Sequence, residues 1–96
     1  STTGTNYSVT SPTQSVFNSG DSYTITLFSP IYSFGQASSV ELYLDENQVF
    51  SWGTWLNFPN NTRTFILPTV ATTSNCYTLR VFKASDIYIS TPFTIQ

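Results

Sequence analysis

Apolar residues recur at every second position over three stretches of the chain. Tyr23, Ile25 and Leu27 alternate with Ser22, Thr24 and Thr26. Val40, Leu42 and Leu44 alternate with Ser39, Glu41 and Tyr43, and Tyr77, Leu79 and Val81 with Thr78, Arg80 and Phe82. A period of two belongs to strands that turn one face to a core and the other to water. Tyr7 and Val9 open a first strand within 6–17, broken by Pro12. Val49 marks a short strand within 47–52, Phe65 to Leu67 another, and Ile87 to Ile95 the last. Pro92 interrupts that last run and is expected at an edge or bulge, because it has no N–H for a central ladder.

Turn signals recur at intervals of about ten residues, the rhythm of a sandwich or barrel. They are Ser11-Pro12, Asn18 to Asp21, Ser29-Pro30, Phe34 to Gln36, Asp45 to Asn47, Pro59 to Asn61, Thr72 to Asn75 and Ala84 to Asp86. No 11-residue window keeps apolar positions at helical spacing without a proline or β-branched cluster, so essentially no helix is expected. Seven or eight short one-sided strands are most economically buried in two antiparallel sheets packed face to face. The expectation is one all-β domain over 1–96, an immunoglobulin/fibronectin-III-like sandwich of about seven strands. The immunoglobulin cysteine pair and its buried tryptophan are missing. Tyr77, early in the penultimate strand, reads either as a tyrosine corner or as an ordinary core tyrosine.

Composition narrows the function. Charged residues make up 8% of the 96-residue chain, against a usual share of about 25%. Ser (14) and Thr (16) fill the gap, so the surface is solvated by hydroxyls and amides. Three basic residues and a net charge of −2 cannot neutralise a row of phosphates, which excludes nucleic acid as a partner. No apolar run reaches the length of a membrane span, so this chain is not expected to insert in one. With no His and one Cys, a zinc site and the usual catalytic triads and dyads lose their ligands and bases. No cofactor, metal or catalytic residue is expected.

Asn6-Tyr7-Ser8 and Asn60-Asn61-Thr62 fit the N-glycosylation pattern, which makes Asn6 and Asn60 either sugar-bearing or simple turn and edge residues. Proline-containing Ser/Thr-rich sequence is typical of O-glycosylated surface proteins. The opening Ser1-Thr-Thr-Gly4 reads as that of a mature or excised domain, and the expected location is extracellular.

Six segments follow a known order: Tyr7-Ser-Val-Thr-Ser-Pro12, Gly20-Asp-Ser-Tyr-Thr-Ile-Thr26, Val40-Glu-Leu-Tyr-Leu44, Phe65-Ile-Leu-Pro68, Tyr77-Thr-Leu-Arg-Val81 and Ser90-Thr-Pro-Phe-Thr-Ile95. Together the chain resembles the N-terminal immunoglobulin-like domain of fungal cell-wall synthesis proteins of the killer-toxin-resistance type, a domain that also recurs in Ser/Thr-rich, GPI-anchored surface proteins. The family often carries Trp where this chain has Leu27. The resemblance implies a secreted, wall-associated module connected with β-glucan assembly, with no catalytic residues to carry over.

The acids Asp21, Glu41, Asp45, Glu46 and Asp86 offer no facing carboxylate pair, since adjacent Asp45 and Glu46 diverge in a turn. Aromatic rings are the informative set. Trp52 and Trp55 flank Gly53-Thr54 between a short strand and the Pro59 turn, with Phe50 and Phe58 nearby; they either plug the open end of the sandwich or stack on a ligand. Tyr43 and Phe82 point away from the core on neighbouring strands, with Glu41 and Arg80 on the same side and Tyr88 a candidate to extend the row. Such a flat strip suits an extended polysaccharide and a neighbouring protein domain equally. Cys76 reads first as a packed, inert thiol, with an intermolecular disulfide or reactive thiol as the alternative.

The function expected from these features is non-catalytic: a cell-wall or cell-surface module that binds or organises polysaccharide, β-glucan in particular, through Trp52 and Trp55, or through Tyr43, Phe82 and Arg80. Two rivals stand beside it, a structural spacer or adhesion module contacting protein, and an accessory domain of a larger secreted enzyme.

Overall fold

Each alternating run forms a strand. The computed structural model describes residues 6–27 and 34–96, with the backbone alone for residues 6–8. The strands are β1 (Asn6–Ser8), β2 (Val16–Phe17), β3 (Ser22–Thr26), β4 (Gly35–Leu44), β5 (Asn47–Phe58), β6 (Thr62–Ile66), β7 (Ser74–Lys83), β8 (Asp86–Ile89) and β9 (Phe93–Ile95). A 3₁₀ turn, Pro59–Asn61, joins β5 to β6. The turn expected at Ser29-Pro30 lies outside the described residues, as do the side chains of Asn6 and Tyr7.

Two sheets result. The larger runs β1-β8-β7-β4-β5, with β9 continuing the ladder on β7 and β2 on β9; the smaller is β3-β6. Pairing is antiparallel except for the two N-terminal strands, where β1 runs parallel to β8 and β2 parallel to β9. Between those strands the chain crosses toward the smaller sheet, and Thr10 exchanges backbone hydrogen bonds with Thr26. This all-β sandwich follows the immunoglobulin-like order read from the sequence. The last run divides at Thr91-Pro92, between β8 and β9, so the proline occupies a break in the ladder where no N–H is needed.

Both sheets contribute to one core. Tyr23 and Ile25 from β3 and Phe65 from β6 meet Val40, Leu42, Leu79, Val81, Phe93 and Ile95 from the larger sheet. The opposite face of the smaller sheet explains part of the hydroxyl excess: Thr24 and Thr64 hydroxyls lie 2.8 Å apart across the strands, and Thr26 and Thr62 hydroxyls 3.1 Å apart.

Tyr77 is buried, and its hydroxyl donates to the Thr72 carbonyl five residues upstream, the bond of a tyrosine corner. Tyr77→Phe is expected to cost about 1 kcal/mol, since an acceptor loses its donor while packing is unchanged. Burial also pushes the Tyr77 phenol above its ordinary value of 10.0. A folded-state pKa raised in this way stabilises the fold below the unfolded value, and that contribution is lost as pH rises through the folded one. Thermal melts should therefore fall off above pH 10, less steeply in Tyr77→Phe than in the parent.

Candidate functional site

β4 and β7 are neighbours at the centre of the larger sheet, with Ser39 opposite Phe82, Glu41 opposite Arg80 and Tyr43 opposite Thr78. Because Val40, Leu42, Leu79 and Val81 turn inward, these six form the outward face. The structure brings Tyr43, Phe82 and Arg80 together there: the two ring centroids lie 6.4 Å apart, and the Arg80 guanidinium sits 4.2 Å from the Tyr43 centroid. Arg80 is held by the Asp45 carbonyl at 3.1 Å and the Glu46 carboxylate at 3.2 Å. Tyr43 donates its hydroxyl to the Glu41 carboxylate at 2.9 Å. Burial first, and then the bond to Glu41, push the Tyr43 phenol above its usual value. The strip is thus a pre-ordered, half-buried platform.

Tyr88 does not extend it. In the β7–β8 register Tyr88 faces Val81 while Ile87 and Ile89 face Phe82 and Arg80. That parity turns Tyr88 into the core, 7% exposed and edge-on to Phe34 at 5.2 Å, and places two isoleucines on the outer row.

β5 is the edge strand beside β4, and it is longer than the sequence pattern indicated. Pairing continues through Gly53, whose φ of 113° admits a bend, to Phe58 opposite Gly35. Trp52 and Trp55 therefore lie within a strand, not beyond one. Register slips of one residue leave Trp52 and Val49 as extra residues on β5, bulges of the kind that twist an edge away from further pairing.

The two tryptophans have different surroundings. Trp52 is half-buried, packs against Phe65 at 5.2 Å and Phe50 at 5.2 Å, and donates its indole N–H to the Ile66 carbonyl at 2.9 Å. It closes the side of the sandwich between the two open edges β5 and β6. Trp55 is 66% exposed and has a φ of 57°. Left-handed backbone costs a bulky residue about 1–2 kcal/mol, and the exposed indole recovers little of it by burial. Its carbonyl accepts a hydrogen bond at 3.0 Å from the Gln36 amide, which also donates to the Asn57 side chain. The kink is therefore clamped from β4. No sequence signal at Gln36 announced that clamp.

Beyond Trp55, Gly35, Gln36, Asn57, Phe58, Pro59 and Asn60 line an open groove of 690 Å³. Phe58 is buried, whereas Phe50 is exposed. Cys76 corrects an expectation: its thiol is exposed and donates to the Asn75 side chain at 3.3 Å, because inward-facing Tyr77 forces its neighbour outward. Among the described residues no three His, Cys, Asp or Glu side chains gather as a metal site. No described helix is long and apolar enough to cross a membrane.

All three cations of the chain are engaged within the fold. Arg80 is bound as above, Arg63 donates to the Asn57 carbonyl at 3.0 Å, and Lys83 donates to the Phe34 and Gln36 carbonyls while lying over the Phe34 ring. No protein-family model matches the chain, and no curated protein does.

Proposed function

We propose that this chain is a non-catalytic, extracellular module that binds or organises uncharged cell-wall polysaccharide, β-glucan first among candidates, by stacking sugar rings on displayed aromatics. Trp55 carries this reading. Neither its backbone angle nor its burial suits a tryptophan, so a bulky ring held outward in a left-handed conformation favours a role outside folding. The cations point the same way: already engaged with carbonyls, rings and Glu46, they favour a neutral ligand over an anionic one. Tyr43, Phe82 and Arg80 supply a second flat surface, and the resemblance to fungal wall-synthesis domains supports the choice of polymer and of a cell-wall location.

Depletion from solution by insoluble β-glucan, chitin or starch tests the proposal. Retention on one polymer and not the others is the expected result; passage through all three would overturn it. A specific observation keeps an adhesion module as the second reading: Val49, Phe50 and Ile66 are exposed on the side where both sheets present open edges. Concentration-dependent self-association without glycan retention would select that alternative.

A further inference from the structure

We infer that Asn60 carries an N-linked glycan, an inference that rests on the extracellular reading above. Asn60-Asn61-Thr62 supplies the acceptor triplet, and the structure places it at the exposed 3₁₀ turn between β5 and β6. The neighbouring asparagines have structural duties. The Asn61 side-chain oxygen accepts from the Phe34 N–H at 2.6 Å, that of Asn57 from Gln36 at 3.0 Å, and that of Asn75 from Cys76 at 3.3 Å. Among the described residues Asn60 alone combines the acceptor pattern with an exposed side chain that holds no structural contact. Its φ of 53° lies in the left-handed region, which asparagine adopts more readily than most residues. Substituting that amide therefore removes no hydrogen bond to a described residue.

The donor is a polyprenyl-diphosphate-linked oligosaccharide. The Asn60 Nδ2 forms a bond to C1 of the first sugar as the C1–O bond to the diphosphate breaks. The lipid diphosphate leaves with that electron pair, and one amide proton is released. The Thr62 hydroxyl of the acceptor triplet donates to the Asn60 carbonyl at 3.3 Å and lies 3.1 Å from the Thr26 hydroxyl, both at the surface. The site lies at the end of β5 remote from the Asp45–Glu46 turn and borders the groove beyond Trp55.

The test is peptide mass mapping of the full chain secreted from a eukaryotic host behind a cleavable leader, before and after an amidase that removes N-linked glycans and leaves aspartate. The parent should show an oligosaccharide on the Asn60 peptide and aspartate at 60 after treatment. Asn60→Asp, which keeps the left-handed turn, and Thr62→Val should each lose that mass entirely. Folded, secreted protein with an unmodified Asn60, or with sugar on Asn6 alone, would overturn the inference. Retention on β-glucan is scored in parallel on chain made without glycosylation. A bare Asn60 in secreted chain, with retention in this material, removes the glycan and not the binding reading, and a modified Asn60 without retention does the reverse.

Discussion

Phe93→Ala is expected to lower the free energy of unfolding by about 3–5 kcal/mol, the cost of deleting a buried aromatic side chain. Phe93 is 3% exposed, with its ring 4.6 Å from that of Tyr23 and 5.6 Å from that of Phe17. Phe17 and Tyr23 are themselves 5.1 Å apart, so one ring triad joins β2 and β9 of the larger sheet to β3 of the smaller. Each edge-on or tilted contact adds about 0.5–1.5 kcal/mol beyond area burial. A domain of this size has roughly 5–15 kcal/mol in total, so the variant should be marginal at room temperature. Ile66→Ser, at a 59% exposed position, should fall within about 0.5 kcal/mol of the parent. Urea unfolding followed by far-ultraviolet circular dichroism measures both, and a Phe93→Ala cost below that of Ile66→Ser would contradict the two-sheet core.

Trp55→Asn should have the opposite profile. Asparagine tolerates the left-handed φ of 57°, so stability should be unchanged or raised by about 1 kcal/mol. Retention on β-glucan should weaken at least about tenfold, roughly 1.4 kcal/mol, as for a central aromatic anchor. Trp52→Ala should reverse both effects, losing stability through the Phe65 contact and the indole bond to Ile66, with retention changed only as far as the fold is. Melting temperature and depletion isotherms read the two variants side by side. A Trp55→Asn protein that melts early would mean the indole packs against the fold instead of serving a ligand.

The sequence carried the core where parity was unambiguous. Over 22–27, 39–44 and 77–82 every inward residue is apolar and most outward ones polar, and a strand has only those two faces. Tyr43, Arg80 and Phe82 could be placed on one surface for the same reason. Parity failed where consecutive residues are all apolar, as in Ile87-Tyr88-Ile89, because either phase then satisfies the pattern and only the β7 register decides. It failed again on β5, where bulges at Val49 and Trp52 shift the faces by one residue each. The separation of Trp52 from Trp55 depends on the bond from Gln36 and on the proximity of β6, contacts between residues far apart in the chain. Cys76 departs from the general preference of cysteine for interiors because the inward parity of the adjacent Tyr77 turns it to the surface.

Fluorescence of Trp52→Phe tests recognition by a displayed ring most directly, because this variant leaves Trp55 as the single indole of the chain. Titrated with soluble β-glucan oligosaccharides, its emission should shift to shorter wavelength and saturate as sugar replaces water over the exposed face. A spectrum unmoved by β-glucan, chitin and starch oligosaccharides, from protein that still melts cooperatively, would contradict the account.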